Sequence, residues 1–103
     1  MEAYWKIKRK EQRVALKVPV LLLGADANGD LFEENTYTED VSKTGALILT
    51  KHILPIGCTI FLKAFKRFES SAKVRMIWRD HRNQDYYKLG IEFEGNNENW
   101  IIH

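Results

Sequence analysis

Residues 14–38 read VALKVPVLLLGADANGDLFEENTYT. The first half is rich in branched aliphatics and carries Pro19, which lacks a backbone N–H and fixes φ. A helix interior is excluded there, and an edge or bulged strand over Val14–Gly24 is expected. The middle holds Asn28-Gly29, the pair favoured where a type I′ hairpin turn needs two positive φ angles. From Asp30 to Thr38 the chain resumes as a strand. Two extended segments joined by a tight turn make this an antiparallel β protein.

The rest of the chain repeats the pattern. Gly45–Thr50 (GALILT) is a short apolar strand, and Pro55–Gly57 punctuates. Cys58–Lys66 (CTIFLKAFK) and Ala72–Trp78 (AKVRMIW) alternate as strands, RDHRNQD is a polar turn, and Tyr86–Gly95 is the sixth strand. Six short strands at regular intervals predict a small all-β, six-stranded antiparallel β-barrel. Closure removes the open edges that a flat sheet would expose, although a sandwich has the same strand count. Alternation assigns Phe61, Phe65, Trp78, Ile91 and Phe93 to the core. Cys58, entering a strand behind Gly57, reads as a small buried hydrophobe.

With 103 residues the chain fits one domain, residues 1–103: a flexible basic arm over 1–13, the barrel over 14–95, and a short tail over 96–103, long enough only to begin a helix. Tyr4, Trp5 and Ile7 are apolar points on the arm, and Trp5 either packs on the barrel or covers a base. The net charge of +2 is too mild for coating nucleic acid, so no DNA or RNA partner is expected. The charge is nevertheless uneven. Lys6, Lys8, Arg9, Lys10, Arg13 and Lys17 stand against Glu11 alone, whereas residues 26–39 carry five acids and no base. The single cysteine, Cys58, excludes an internal disulfide and a thiolate zinc site. No apolar leader or membrane-length run is present, and a cytoplasmic protein is expected. His52, His81 and His103 are scattered, no calcium-loop spacing occurs, and Ser42 has no base at useful spacing. Neither a metal, a cofactor nor an enzymatic activity is expected.

Two stretches carry chemistry. Arg9 and Arg13 stand four apart just ahead of the first strand. Guanidiniums can grip phosphate or the O6 and N7 acceptors of guanine with a fork that lysine lacks. Residues 40–46 read DVSKTGA between two strands. Asp40 can accept two hydrogen bonds from a guanine edge, Ser42 can donate to phosphate or ribose, and Gly45 leaves room for close approach. The same residues also suit a plain turn, in which Asp and Ser bond nearby amides and Gly ends the loop.

Taken in order, Arg9-x-x-x-Arg13, VALKVPV and DVSKTGA resemble the PilZ domain family, with its RxxxR and [DN]xSxxG signatures. PIGCTIFL, KVRMIW and LGIEFEG, with Trp78 and Gly90, fall where that family's pattern expects them. The resemblance covers nearly the whole chain. Only the C-terminus departs, since many relatives continue into a longer helix or another domain. It implies a six-stranded barrel that binds cyclic di-GMP, a bacterial second messenger, through Arg9, Arg13, Asp40, Ser42 and Gly45, with Lys8 and Lys10 as accessory contacts. The arm would fold over the ligand and relay the signal to a protein partner. Two other functions compete: a ligand-independent PilZ-like adaptor in pilus or motility machinery, and a barrel that stacks single-stranded nucleic acid on aromatics.

Overall fold

The computed structural model describes residues 12–95 and Trp100. The chain forms seven strands: β1 (Val14–Ala15), β2 (Pro19–Ala25), β3 (Leu31–Val41), β4 (Gly45–Thr50), β5 (Thr59–Ala64), β6 (Phe68–Arg79) and β7 (Tyr87–Phe93). All pairings are antiparallel, in the order β1-β3-β2-β5-β6-β7-β4, and β3 also pairs β4. That last ladder closes six strands into the expected barrel, with β1 as one extra strand. Inward residues such as Leu22, Ile48, Ile60, Leu62, Leu89 and Ile91 are wholly buried. Each contributes roughly 1.5–3 kcal/mol of apolar transfer. Phe68, Phe93 and Trp100 pack edge-to-face and tilted, with centroids 4.6–5.1 Å apart.

Four expectations need correction. Val14–Gly24 is not one strand. It splits into β1 and β2, with Pro19 opening the second, where its missing donor does least harm. The pairing changes from Ala15 opposite Asp40 to Pro19 opposite Tyr37, so one residue of register is lost between them. Thr38 bridges the gap, since its hydroxyl accepts from the Val18 amide (2.9 Å) and donates to the Leu16 carbonyl (2.6 Å).

The hairpin stands at Asn28-Gly29, but only Gly29 has positive φ (83°), so the turn is not type I′. Asp26 is the reason. Its carbonyl accepts from the Gly29 amide (2.9 Å), and its carboxylate accepts from Asn28 (2.9 Å) and Asp30 (3.0 Å). This is the three-residue loop with a left-handed glycine last.

Phe61 and Phe65 are not core. They are 51% and 57% exposed, because Ile60, Leu62 and Ala64 take the inward row of β5. Phe65 sits in the β5–β6 turn at φ 57°, a conformation unfavourable for a non-glycine residue. Ile91 and Phe93 are buried as expected, whereas Trp78 is only half-buried. Finally, the fifth strand is longer than Ala72–Trp78, running from Phe68 to Arg79. Cys58 lies half-buried just ahead of β5.

Candidate functional site

A bulge in β3 makes the site. Against β4 the register slips between Thr38, opposite Ile48, and Asp40, opposite Leu47. Before the slip Thr36 and Thr38 point inward. After it Val41 does, and Asp40 turns outward. Strict alternation would have driven the Asp40 carboxylate into the core, so the extra residue, Glu39, sets the site's orientation.

Outside the barrel, Asp40 lies 3.9 Å from the Arg13 guanidinium. Arg13 immediately precedes β1, and β1 pairs Ala15 with Asp40, so the two are held together by the backbone ladder. Glu39 pairs with Lys88 on β7 (2.9 Å), and Lys88 also approaches the buried Asp80 carboxylate (4.0 Å). Asp80 in turn accepts from the Arg82 amide (3.3 Å). Lys17, Tyr37, Glu39, Asp40, Arg82 and Lys88 line a groove of about 480 Å³ floored by Leu47 and Leu49. The Lys17 ammonium rests 4.6 Å above the Tyr37 ring centroid, a cation–π contact. The groove thus offers guanidinium, ammonium, carboxylate and an aromatic ring within one concave surface. That suits an anionic, hydrogen-bonding, aromatic ligand such as a nucleotide.

The loop after β3 turns inward. Ser42 is buried (1% exposed); its amide donates to the Gly45 carbonyl (3.0 Å), and its hydroxyl faces the same oxygen at 3.5 Å, too long for a strong bond. The Ser42 carbonyl accepts from the Trp100 indole at 2.8 Å. A Cβ on Gly45 would stand 2.1 Å from the Ile91 carbonyl oxygen, so the glycine is required by the approach of β4 to β7. The structure therefore brings Arg13 and Asp40 together beside the groove, whereas Ser42 is buried in the β3–β4 loop and Gly45 packs against β7. Arg9, Lys8, Lys10, Trp5 and the rest of residues 1–11 lie outside the described residues, as does most of the tail.

Sequence reasoning missed Tyr37, Arg82 and Lys88 in the groove, and Trp100 behind the loop. Arg82 belongs to a stretch that reads only as a polar turn, and barrel closure alone carries it to the groove that Asp40 lines. Among the described residues no group of three or more His, Cys, Asp or Glu side chains is placed to hold a metal. Among them, too, no helix is long and apolar enough to cross a membrane.

Comparison with known proteins agrees with this fold. Among solved structures the chain is similar to the inhibitor of motility MotI/DgrA of Bacillus subtilis, at TM-score 0.68 and 17% identity over 88% of this chain and 44% of that one. It is also similar to MrkH, described as a c-di-GMP-dependent transcription regulatory factor, at TM-score 0.57 and 17% identity over 88% and 45%. At that identity the likeness speaks for the fold, and the chain spans less than half the length of either protein. No curated protein matches the sequence. Residues 7–101 match the family described as PilZ domain. The chain belongs to the PilZ domain family, a family of cyclic di-GMP receptors.

Proposed function

We propose that the chain is a non-enzymatic receptor that binds cyclic di-GMP in the groove between Arg13, Asp40 and the β3–β4 loop. The supporting observation is the pairing of Arg13 with an Asp40 turned out of the core by the β3 bulge. Without ligand these two charges satisfy each other. With ligand, Asp40 exchanges Arg13 for the N1 and N2 donors of a guanine, and the freed guanidinium takes a phosphate or the O6/N7 edge. Arg9 supplies the second fork, with Lys8 and Lys10 beside it. Ser42 and Gly45 contribute the loop, which has to open for the Ser42 hydroxyl to reach the ligand. Closure of residues 1–13 over the ligand is the signal, read by a protein partner, and control of motility or biofilm formation is in keeping with the inhibitor of motility it resembles. Ordering that segment costs about 1–2 kcal/mol of backbone entropy per residue, which keeps binding reversible.

Calorimetric titration with cyclic di-GMP, with GMP and cyclic AMP as controls, tests this reading. Losing one charge-assisted contact costs about 1.5–3 kcal/mol, or roughly ten- to a hundredfold in affinity. Arg9→Ala, Arg13→Ala and Asp40→Ala should each show it. No heat at ligand concentrations far above micromolar, or an affinity unchanged from wild type in all three variants, overturns the reading.

A further inference from the structure

Most of the cations at the groove are already engaged. Arg13 lies 3.9 Å from Asp40, Lys88 pairs with Glu39 (2.9 Å) and approaches Asp80 (4.0 Å), and the Lys17 ammonium rests over the Tyr37 ring at 4.6 Å. Arg82 is different. It lines the groove and is exposed, and no acid among the described residues comes within ion-pair distance of its guanidinium. A guanidinium on a concave surface that pairs with no carboxylate keeps its fork of donors for a ligand.

Its place in the fold says which part of a ligand it would meet. The strands under the groove run β1, β3, β4, β7, each hydrogen-bonded to the next. Arg13 and Asp40 belong to the β1–β3 side, whereas Arg82 comes from the β6–β7 loop on the other side. Three strand spacings, about 14 Å, separate β1 from β7. Guanidiniums on opposite sides of a groove match a ligand that carries two phosphates on opposite edges of one ring. The loop is also held in shape. The buried Asp80 carboxylate accepts from the Arg82 amide (3.3 Å), the Asp80 amide donates to the Tyr86 carbonyl (2.9 Å), and the Tyr86 amide donates to the Asn83 carbonyl (3.0 Å). The Arg79 guanidinium donates to the Gln84 carbonyl from below (2.8 Å). Arg82 is therefore carried on an ordered backbone, and a ligand has only its side chain to immobilise. We propose that Arg82 is a ligand-binding residue that grips the phosphate of the cyclic dinucleotide on the side of the groove away from Arg13. This rests on the reading of the groove as a cyclic di-GMP site, and adds a contact that neither the arginine pair of the arm nor the Asp40–Gly45 loop supplies.

Calorimetric titration of the full chain with cyclic di-GMP at several salt concentrations tests the proposal. Arg82→Ala should weaken binding at least roughly tenfold and flatten its salt dependence. Arg82→Lys keeps the charge without the fork and should fall between Arg82→Ala and wild type. Lys63→Ala removes an exposed cation of β5 from outside the groove and should bind as wild type does. Thermal melting should be alike in all of them, because both positions are exposed. A wild-type chain that binds and an Arg82→Ala variant that binds equally well overturn this inference and leave the cyclic di-GMP reading standing. Equal losses in Arg82→Ala and Lys63→Ala also overturn it, since overall charge then accounts for the effect. A wild-type chain that binds no cyclic di-GMP overturns both.

Discussion

The indole of Trp100 donates a hydrogen bond to the backbone carbonyl of Ser42, 58 residues earlier in the chain, at 2.8 Å. The ring is buried and packs against Phe68 and Phe93, with Phe65 at 6.5 Å. One residue near the C-terminus therefore ties the β3–β4 loop to the aromatic end of the core.

Replacing Trp100 separates its two roles. Trp100→Ala removes the ring and should cost about 3–5 kcal/mol. Trp100→Phe keeps most of the packing but leaves the Ser42 carbonyl without its donor, which should cost about 1–3 kcal/mol. Urea unfolding midpoints ordered wild type, then Trp100→Phe, then Trp100→Ala would agree; equal midpoints would refute a role for the indole.

Thr38 holds the junction of β1 and β2 with a single buried hydroxyl that both accepts and donates. Thr38→Val keeps the shape and orphans the Val18 amide and the Leu16 carbonyl. A loss of about 2 kcal/mol is expected, lowering Tm by roughly 8–16 °C for a chain of this size. A shift below a degree or two would mean that water replaces the hydroxyl without cost.

Arg13 and Gly45 should respond in opposite ways. The Arg13–Asp40 pair is long and substantially exposed, so Arg13→Ala should change stability by no more than about 0.5 kcal/mol while weakening cyclic di-GMP binding. Gly45→Ala forces a methyl into the Ile91 carbonyl, and overpacking of that kind costs about 1–3 kcal/mol or more. Melting curves of both variants, measured beside their titrations, distinguish a lost contact from a lost fold. A Gly45→Ala variant with wild-type Tm would contradict the β4–β7 approach described above.

Burial pushes the Cys58 thiol up, against the opposing pull of the Lys73 ammonium and of a backbone hydrogen bond. The folded protein then holds this proton more tightly than the unfolded chain. The contribution to stability is complete below the ordinary thiol pKa and falls as pH rises from that value through the raised one. Alkylation near neutral pH should be slower than for an unfolded control, and should accelerate only at a pH above that of a free thiol. Equal rates at every pH would show the thiol to be unperturbed.

The closed six-strand barrel was legible because turn chemistry and aliphatic runs are local. Most of what failed had non-local causes, the turn type being the exception. Both rows of CTIFLKAFK carry apolar side chains, so alternation alone does not say whether Phe61 or Ile60 faces in; the ladder to β2 decides. Asn28-Gly29 located the turn, but the Asp26 carboxylate two positions earlier chose its type. Asp40 and Arg13 were legible as a motif, whereas the bulge at Glu39 that presents Asp40 depends on β1 and β4 pairing with opposite edges of β3. Trp100, between the polar run Asn96–Asn99 and two isoleucines, has no period to announce it, and only the closed barrel gives it an end to plug.

The chain ahead of Val14 is moored to the barrel by two ladder rungs, Val14 against Val41 and Ala15 against Asp40, followed by the Thr38 clasp. A tug on that leading segment loads the Asp40 rung second and the clasp last, peeling one rung at a time in the manner of a zip. Among the six closed strands only β3 takes this load. The leash can be paid out or taken in while the drum behind it stays shut.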